Sequence, residues 1–289
     1  MFGARRGLSR SVLFVVALLA FAGRASAQSA PLPLYEIEAL GWAAYTPDYP
    51  GASQSHIHFM ALPWLTYRGD ILRSEEGGHV AGRILHSDRF ELDISAAGSF
   101  PSHSANDSAR SGMPDLDWMG EVGPRARMNI YYWQNMATGQ IAKIGVELPV
   151  RAVFSTNLTS RFDYRGETAS PEVFFEGKGV FGTKARVKLG AGPIFATKEL
   201  TGYFYQVDPK YAEAGRPAYT AHGGYMGSQA ELGVTVPVLD WVKAFGKTSV
   251  NYYGGSANAD SPLMGKKTNV SAMFGMSFSL YRSQEMAKR

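Results

Sequence analysis

The chain of 289 residues contains no cysteine, so it can form no disulfide and must be held together by packing or by hydrogen bonds. After its N-terminal segment it also lacks any uninterrupted apolar run of roughly 18 residues, which a transmembrane helix would require. No repeat of roughly 20–50 residues is visible, which argues against a solenoid or a propeller. The length still allows one large domain or two small ones.

Net charge is nearly absent once the first residues are set aside. The whole chain has 29 basic and 25 acidic residues. Four arginines and no acidic residue lie within residues 1–27, which leaves 25 residues of each sign in the remainder. A nucleic-acid-binding domain needs a basic patch, so we expect no nucleic-acid partner.

The N-terminus has the three features of a secretory signal peptide in the expected order. Three arginines lie among the first ten residues, residues 12–23 are apolar, and small residues precede Gln28. We therefore predict a signal peptide over residues 1–27, cleavage between Ala27 and Gln28, and export of residues 28–289. The alternative is a buried N-terminal helix.

Strand-like alternation is the main positive signal in the sequence. In RFELDISAAGSF, residues 89–100, apolar or small residues occupy every even position, whereas Arg89, Glu91, Asp93 and Ser95 occupy odd ones. This is the period of a strand with one apolar and one polar face. The pattern recurs, with no charge on the apolar face, in eight further segments: 34–45, 56–67, 118–132, 142–154, 171–177, 184–195, 228–238 and 269–280.

Alternation alone leaves open which face meets the surroundings. In a soluble protein the polar face meets water, whereas in a membrane barrel the apolar face meets lipid and the polar face lines the interior. Aromatic residues near both ends of one apolar face, such as Trp118 and Tyr132, favour the barrel because they would form interfacial girdles. On this interpretation Val187 faces lipid and Lys188 faces the interior.

The connections alternate in length. The short ones are 68–70, 86–88, 135–139, 179–183 and 239–241, and the long ones are 46–54, 101–117, 155–170, 196–220 and 255–268. The aromatic run 203–207 in the longest loop favours a packed loop core, with a binding platform as the alternative. Weaker strands near 70–75, 79–85 and 243–254 complete an even count. We predict an all-β fold, a transmembrane antiparallel β-barrel of about 12 strands with short periplasmic turns and longer extracellular loops.

Prolines in or near the strands favour the alternative, a periplasmic β-sandwich. Proline cannot donate to a strand ladder and usually lies at an edge or a bulge, and a closed barrel has no edge. The prolines concerned are Pro63, Pro124, Pro149, Pro193 and Pro237. If the barrel is correct, we expect bulges at Pro124 and Pro149.

The polar faces of the strands carry nearly equal numbers of acidic and basic side chains. Those predicted to line the lumen include Arg89, Glu91, Asp93, Glu121, Arg125, Arg127, Lys143, Glu147, Arg151, Lys184, Arg186 and Lys188. Balanced charges can pair across a narrow lumen, and a small barrel can be filled by its own side chains. The balance therefore favours a filled barrel over an ion-selective pore.

No residue set in the sequence predicts a catalytic, cofactor or metal site. His56 and His58 share one strand face, but two such ligands without a third are a weak metal signal, so a polar lining is preferred. Asp107, Asp115 and Asp117 lack EF-hand spacing. No nucleophile-elbow motif is present. We expect no cofactor and no metal.

The loops and strand ends resemble those of a known family. The motifs that carry the resemblance are PDYPG (47–51), LPWLTYRGD (62–70), ARSGMPDLDW (109–118), EVGPR (121–125), LPVRAVFS (148–155), YFYQVDPKYA (203–212), GRPAYTAHGGY (215–225) and DSPL (260–263). In this order they resemble the MipA/OmpV family of Gram-negative outer-membrane proteins, from about residue 34 to 280. The resemblance implies an outer-membrane β-barrel. For the better-known members it also implies a scaffold role beside a lytic transglycosylase and a murein synthase.

We therefore predict a non-enzymatic scaffold in the outer membrane, in contact with its lipid and, by the resemblance, with those two murein enzymes. A small-solute channel or ligand-binding protein is the alternative, and an outer-membrane hydrolase is a third possibility. Partner contacts are expected on the periplasmic side, at the turns and at the terminal segments 28–33 and 282–289.

Overall fold

The structure is a computed structural model that describes residues 32–69, 72–75, 79–87 and 89–287. The predicted signal peptide and its cleavage point, Ala27 and Gln28, lie outside the described residues. Within the described part of the chain, no helix is long and apolar enough to cross a membrane.

Antiparallel strands make up most of the described chain. Their bounds are β1 (Tyr35–Pro47), β2 (Ser55–Tyr67), β3 (Leu72–Glu75), β4 (His79–His86), β5 (Phe90–Ser99), β6 (Trp118–Asn135), β7 (Gln140–Thr156), β8 (Phe162–Ala169), β9 (Glu172–Lys178), β10 (Arg186–Ala196), β11 (Gly224–Leu239), β12 (Val242–Tyr252) and β13 (Thr268–Arg282). One α-helix, α1 (Lys198–Tyr205), lies in the longest loop.

The strands form one sheet that curls round on itself. Its order is β2-β1-β13-β12-β11-β10-β8-β7-β6-β5-β4-β3, and β9 pairs with the same two neighbours as β8. Because β8 and β9 share one position, the wall has twelve positions. β2 and β3, at the two ends of the order, lie against each other. The predicted antiparallel barrel of about 12 strands is confirmed.

The apolar faces of the strands point outward. In β5, Glu91 and Asp93 are 8% and 4% exposed, whereas Phe90 and Ile94 are 42% and 41% exposed. This is the reverse of a soluble domain, in which the charged face would meet water. An exterior of exposed apolar side chains around a closed sheet is the surface that a bilayer requires. The barrel is therefore an outer-membrane one.

One predicted loop is partly strand. The segment 155–170 was expected to be a long loop, but β8 occupies half of it. β8 alternates the exposed Phe162 and Tyr164 with Asp163 and Arg165. The alternation in β8 was hard to recognise, because the charged residues on one of its faces make the segment resemble an ordinary surface loop.

The expected bulges at Pro124 and Pro149 are wrong. The pairing of β6 with β7 keeps one register on both sides of these prolines. Pro171 separates β8 from β9, and Pro193 lies in the facing stretch of β10, again without a register shift there. These prolines thus lie side by side on neighbouring strand positions. The ladder therefore lacks N–H donors in one band across the wall, at Pro124, Pro149, Pro171 and Pro193. A side chain at Gly192 would collide with the Pro171 carbonyl, so glycine allows the strands to approach there.

A bulge does occur further along β6. The register with β7 shifts between Asn129 and Tyr131. Beyond the shift, Tyr132 pairs with Lys143, whose Nζ lies 5.7 Å from the centre of the tyrosine ring. Tyr132 therefore shares the face of Lys143, and its predicted place on the outer face with Trp118 is wrong.

Val187 is not exposed to lipid. It is 9% exposed and packs with Ala185, Val234 and Val236, with Val180 against them. Val180 belongs to the turn between β9 and β10, which folds its apolar side chain onto this cluster. Leu189, two residues further along the same strand, is 45% exposed and is the better marker of the lipid face.

The two chain ends meet at one end of the barrel. β1 pairs with β13 along its length. Beyond these strands, the Leu34 N–H donates to the Glu285 carbonyl and the Ala287 N–H donates to the Leu32 carbonyl. The terminal segment 282–289 is therefore paired with the N-terminal segment as far as both are described. The short connections lie at this same end, which in outer-membrane barrels is periplasmic.

One introduced charge can test which side chains of β10 face the lipid. Leu189→Arg should lower the amount of folded protein in the outer membrane, since arginine on a lipid face costs about 2–4 kcal/mol near the midplane. The matched control is Met136→Arg, because Met136 is 86% exposed in the turn between β6 and β7. The measurement is the folded fraction, read as heat-modifiable mobility on unboiled gels. Equal folding of the two variants would show that the outer face is misassigned.

Candidate functional site

The interior of the barrel is occupied by a network of charged side chains. Arg127 of β6 contacts Glu147 of β7 at 3.2 Å and Glu176 of β9 at 3.0 Å. Lys188 of β10 contacts Glu147 at 3.1 Å and Glu172 at 3.2 Å. Because Arg127 and Glu147 are 5% and 4% exposed, this pair is almost completely shielded from water, whereas Glu176 and Lys188 are each 22% exposed.

The network continues across two more strands. Glu231 of β11 lies 3.7 Å from Lys188 and 2.6 Å from Lys247 of β12. We call this set the charge belt, and its members are Arg127, Glu147, Glu172, Glu176, Lys188, Glu231 and Lys247. The belt spans six neighbouring strand positions. Phe174 fills space within it, since the Arg127 guanidinium lies 4.0 Å from the centre of its buried ring.

Two further ion pairs lie beside the belt. The guanidinium of Arg125 binds both carboxylate oxygens of Asp93, at 2.9 and 2.7 Å, which is the strongest geometry for such a pair. Arg151 donates to the Ser95 hydroxyl at 2.9 Å and lies 3.7 Å from Glu121. These contacts link β5, β6 and β7 through the interior.

A second cluster lies where the first and last strands pair, and we call it the seam cluster. Glu36 contacts Arg68 at 3.3 Å, Lys243 at 3.8 Å and Arg282 at 3.4 Å. Glu38 contacts Lys243 at 3.4 Å. It also accepts hydrogen bonds from the hydroxyls of Thr66 and Ser277.

A packed cap covers the extracellular mouth of the barrel. It consists of the four loops 48–54, 100–117, 197–223 and 253–267. Their apolar side chains form the largest buried cluster of the described chain: Tyr49, Ala52, Met113, Leu116, Leu200, Phe204, Tyr205, Val207, Ala221 and Leu263, which pack on Met119, Val153, Ala196 and Met226 of the strands. The aromatic run 203–207 thus belongs to a packed loop core, and α1 supplies part of it.

Hydrogen bonds connect the loops of the cap to one another. Arg110, 4% exposed, donates to the carbonyls of Phe204 and Pro114. Arg216 donates to the carbonyls of Ala109 and Ser111. Both guanidinium groups satisfy carbonyls that the loop conformation would otherwise bury without partners.

Tyrosines and one aspartate in the cap are shifted toward their neutral forms. Tyr205 donates to the Pro50 carbonyl at 2.9 Å, and burial raises the pKa of this phenol well above its usual value. Burial, together with the nearby Asp48 carboxylate, raises the pKa of Asp107. The cap therefore behaves as a folded core rather than as a set of solvated loops.

The other candidate ligands from the sequence do not converge. His56 contacts Asp48 at 2.6 Å, whereas His58 stacks on Phe100. His103 contacts Asp115 at 2.9 Å. Among the residues that the structure describes, no group of three or more His, Cys, Asp and Glu side chains could hold a metal ion.

The residues predicted to line the lumen divide into three groups by burial. Most lie in the interior contacts described above, and Glu91 is buried with them. Arg186 and Lys143 are half-buried. Arg89 and Lys184 are exposed at strand ends, because each lies just outside its strand at the periplasmic end.

Sequence reasoning missed basic residues that complete both clusters. Lys243 and Lys247 share one face of β12, four residues apart, and Arg68 lies in a turn between strands. The alternation of β12 could have identified the two lysines. Nothing in the sequence placed Arg68 or Arg282 beside Glu36, because that contact depends on how the barrel closes.

With this geometry in hand, the chain matches one protein family. The model of the family described as "MltA-interacting protein MipA" matches residues 40–280. Since the match covers most of the chain, the protein belongs to this family. No curated protein matches the chain.

Solved outer-membrane proteins show limited similarity. The NanC porin has 8% sequence identity and a TM-score of 0.35, over 84% of this chain and 100% of that one. The COG4313 outer membrane channel from Pseudomonas putida F1 has 9% identity and a TM-score of 0.36, over 87% of this chain and 97% of that one. Pseudomonas putida OprB has 9% identity and a TM-score of 0.36, over 92% and 96%. The barrel assignment rests on the strand order and the family, since scores of this size establish no fold.

If the charge belt is buried, removing one of its charges should lower the free energy of unfolding far more than removing an exposed charge. Arg127→Met should lower the free energy of unfolding by about 3–5 kcal/mol, because it removes the positive charge between the buried Glu147 and the half-buried Glu176. Arg161→Met, the same substitution at an exposed loop position, should change it by less than about 0.5 kcal/mol. Urea titration of the protein in lipid vesicles measures both. A small effect of Arg127→Met would mean that water reaches the belt.

Proposed function

We propose that this protein is a non-enzymatic scaffold of the outer membrane that presents its periplasmic end to murein-remodelling enzymes. The observation that carries the proposal is the combination of an ion-paired interior and a packed cap. A barrel closed in this way is suited to bind partner proteins at its surface rather than to conduct solutes through its lumen. The family description names an interaction with MltA, and the proposed partners are a lytic transglycosylase and a murein synthase.

The proposed route to this location begins with the N-terminal segment. Residues 1–27 would direct export and be removed between Ala27 and Gln28, so that residues 28–289 form the barrel domain. The outer-membrane lipid then contacts the exposed apolar side chains of the wall.

The channel alternative requires a continuous water path. The belt, the seam cluster and the cap lie along that path, and their side chains contact one another, with Arg127, Glu147, Glu36 and Glu38 buried. A hydrolase would need an activated nucleophile. Ser104 is close to the pair formed by His103 and Asp115, but its hydroxyl donates to the Pro114 carbonyl at 2.8 Å. Both features support a scaffold over the alternatives.

The periplasmic end limits the strength of partner binding. The turns there are short, and the C-terminal segment is paired with the N-terminal one, which leaves little surface for a standard interface of about 1,200–2,000 Å². We therefore propose weak, transient binding.

Direct binding tests the proposal. The purified barrel in lipid nanodiscs should bind the purified MltA-type lytic transglycosylase of the same organism with a Kd on the order of micromolar. Nanodiscs with an unrelated outer-membrane barrel are the control. Absence of specific binding would contradict the scaffold proposal.

A further inference from the structure

One hairpin extends further toward the periplasm than the neighbouring strand on one side. β5 begins at Phe90, which pairs with Met128 of β6. The last contact on this side is the Asn129 N–H, which donates to the Arg89 carbonyl at 2.8 Å. β6 continues to Asn135 and pairs there only with β7 within the described part of the chain.

We call residues 130–135 of β6 the open edge. It is about 20 Å long at the usual strand rise of about 3.3 Å per residue. Unpaired strand backbone does not occur in contact with hydrocarbon, so the open edge lies outside the membrane core, on the periplasmic side.

The register shows which backbone groups the open edge presents. Asn135 and Gln140 close the hairpin, and the Gly139 N–H donates to the Asn135 carbonyl within the turn. Groups that bond across the hairpin alternate with groups that point away from it. Counting back from Asn135, Tyr132 and Gln134 turn their N–H and C=O groups away from β7.

The open edge lacks the devices that usually protect strand edges. Natural edges are blocked by charged residues, prolines or bulges within the exposed run. Residues 130–135, IYYWQN, contain no charge and no proline, and the one bulge lies at their start. Tyr131, Tyr132 and Trp133 are 52%, 46% and 42% exposed. Such an edge is suited to accept another strand.

We infer that the open edge binds an extended segment of a periplasmic partner protein by strand addition. Backbone hydrogen bonds to Tyr132 and Gln134 provide the attachment, as in other cases of strand addition. Arg89 is exposed where β5 begins, so the fitting segment is uncharged along the edge and carries an acidic residue near Arg89. The choice of partner rests on the proposed scaffold function, which names a lytic transglycosylase of the MltA type.

A second copy of the chain does not fit this edge well. Two barrels in one membrane share the same orientation, so their β6 strands both run toward the periplasm. Edges related in this way can pair only in parallel, which is less stable per residue than antiparallel pairing. A separate periplasmic protein has no such restriction and can supply an antiparallel segment.

Two substitutions at one residue separate backbone pairing from side-chain contact. Gln134→Pro removes the N–H that points away from β7 and places a ring at the edge, whereas the hairpin bonds remain. Gln134→Ala removes the same side chain but keeps the N–H. With the full-length barrel in nanodiscs and the MltA-type transglycosylase as probe, Gln134→Pro should weaken binding by about tenfold or more, since strand addition depends on that backbone group. Gln134→Ala should bind as the wild type does.

Other outcomes overturn the inference in distinguishable ways. Unchanged binding by Gln134→Pro, with wild-type heat-modifiable mobility, would show that the edge is not the docking element. Equal losses in the two variants would assign binding to the side chain and exclude strand addition. If the wild type itself fails to bind, the scaffold function is contradicted, and with it the inference that depends on it. A Gln134→Pro barrel that fails to fold would contradict the assignment of its N–H to the open edge.

Discussion

The most buried charges inside this barrel, such as Arg127 and Glu147, need partners of opposite sign, because the wall and the cap keep water away from them. An unpaired buried charge costs several kcal/mol, whereas a paired one is close to neutral. Arg127 between Glu147 and Glu176, and Lys188 among three glutamates, satisfy this constraint. Since each partner belongs to a different strand, the pairing also determines which strands stand next to one another in the closed sheet.

The wall and the cap follow from the same constraint. The charges can remain buried only if the outer face is apolar and the extracellular mouth is covered. The wall provides the first condition through exposed side chains such as Ile94 and Leu189. The cap provides the second, since α1 and three other loops bury one apolar cluster above the belt. The charged side chains thus lie inside the barrel, and the apolar wall and the apolar cluster of the cap surround them. The periplasmic end is then the surface that remains open to partner proteins.

The local alternation of apolar and polar residues predicted the strands of the wall. It could not predict contacts between residues that are distant in the sequence. The alternation in β5 is strong because Glu91, Asp93 and Ser95 follow one another on one face, so the strand and its polarity could be read directly. β8 was missed because its polar face resembles a loop. α1 was missed because Gly202 and three aromatic residues weaken the helical pattern, and burial in the cap stabilises it instead. The partners of Glu36 come from β12, β13 and a turn, and only closure of the barrel brings them together.

The proposed scaffold function requires that the charge belt and the cap leave no path for ions through the barrel. Single-channel recording in planar lipid bilayers tests this claim directly, with a known porin in the same bilayers as the positive control. The wild-type protein should insert without discrete conductance steps. Stable steps of the size that a water-filled pore produces would contradict it and would favour a channel.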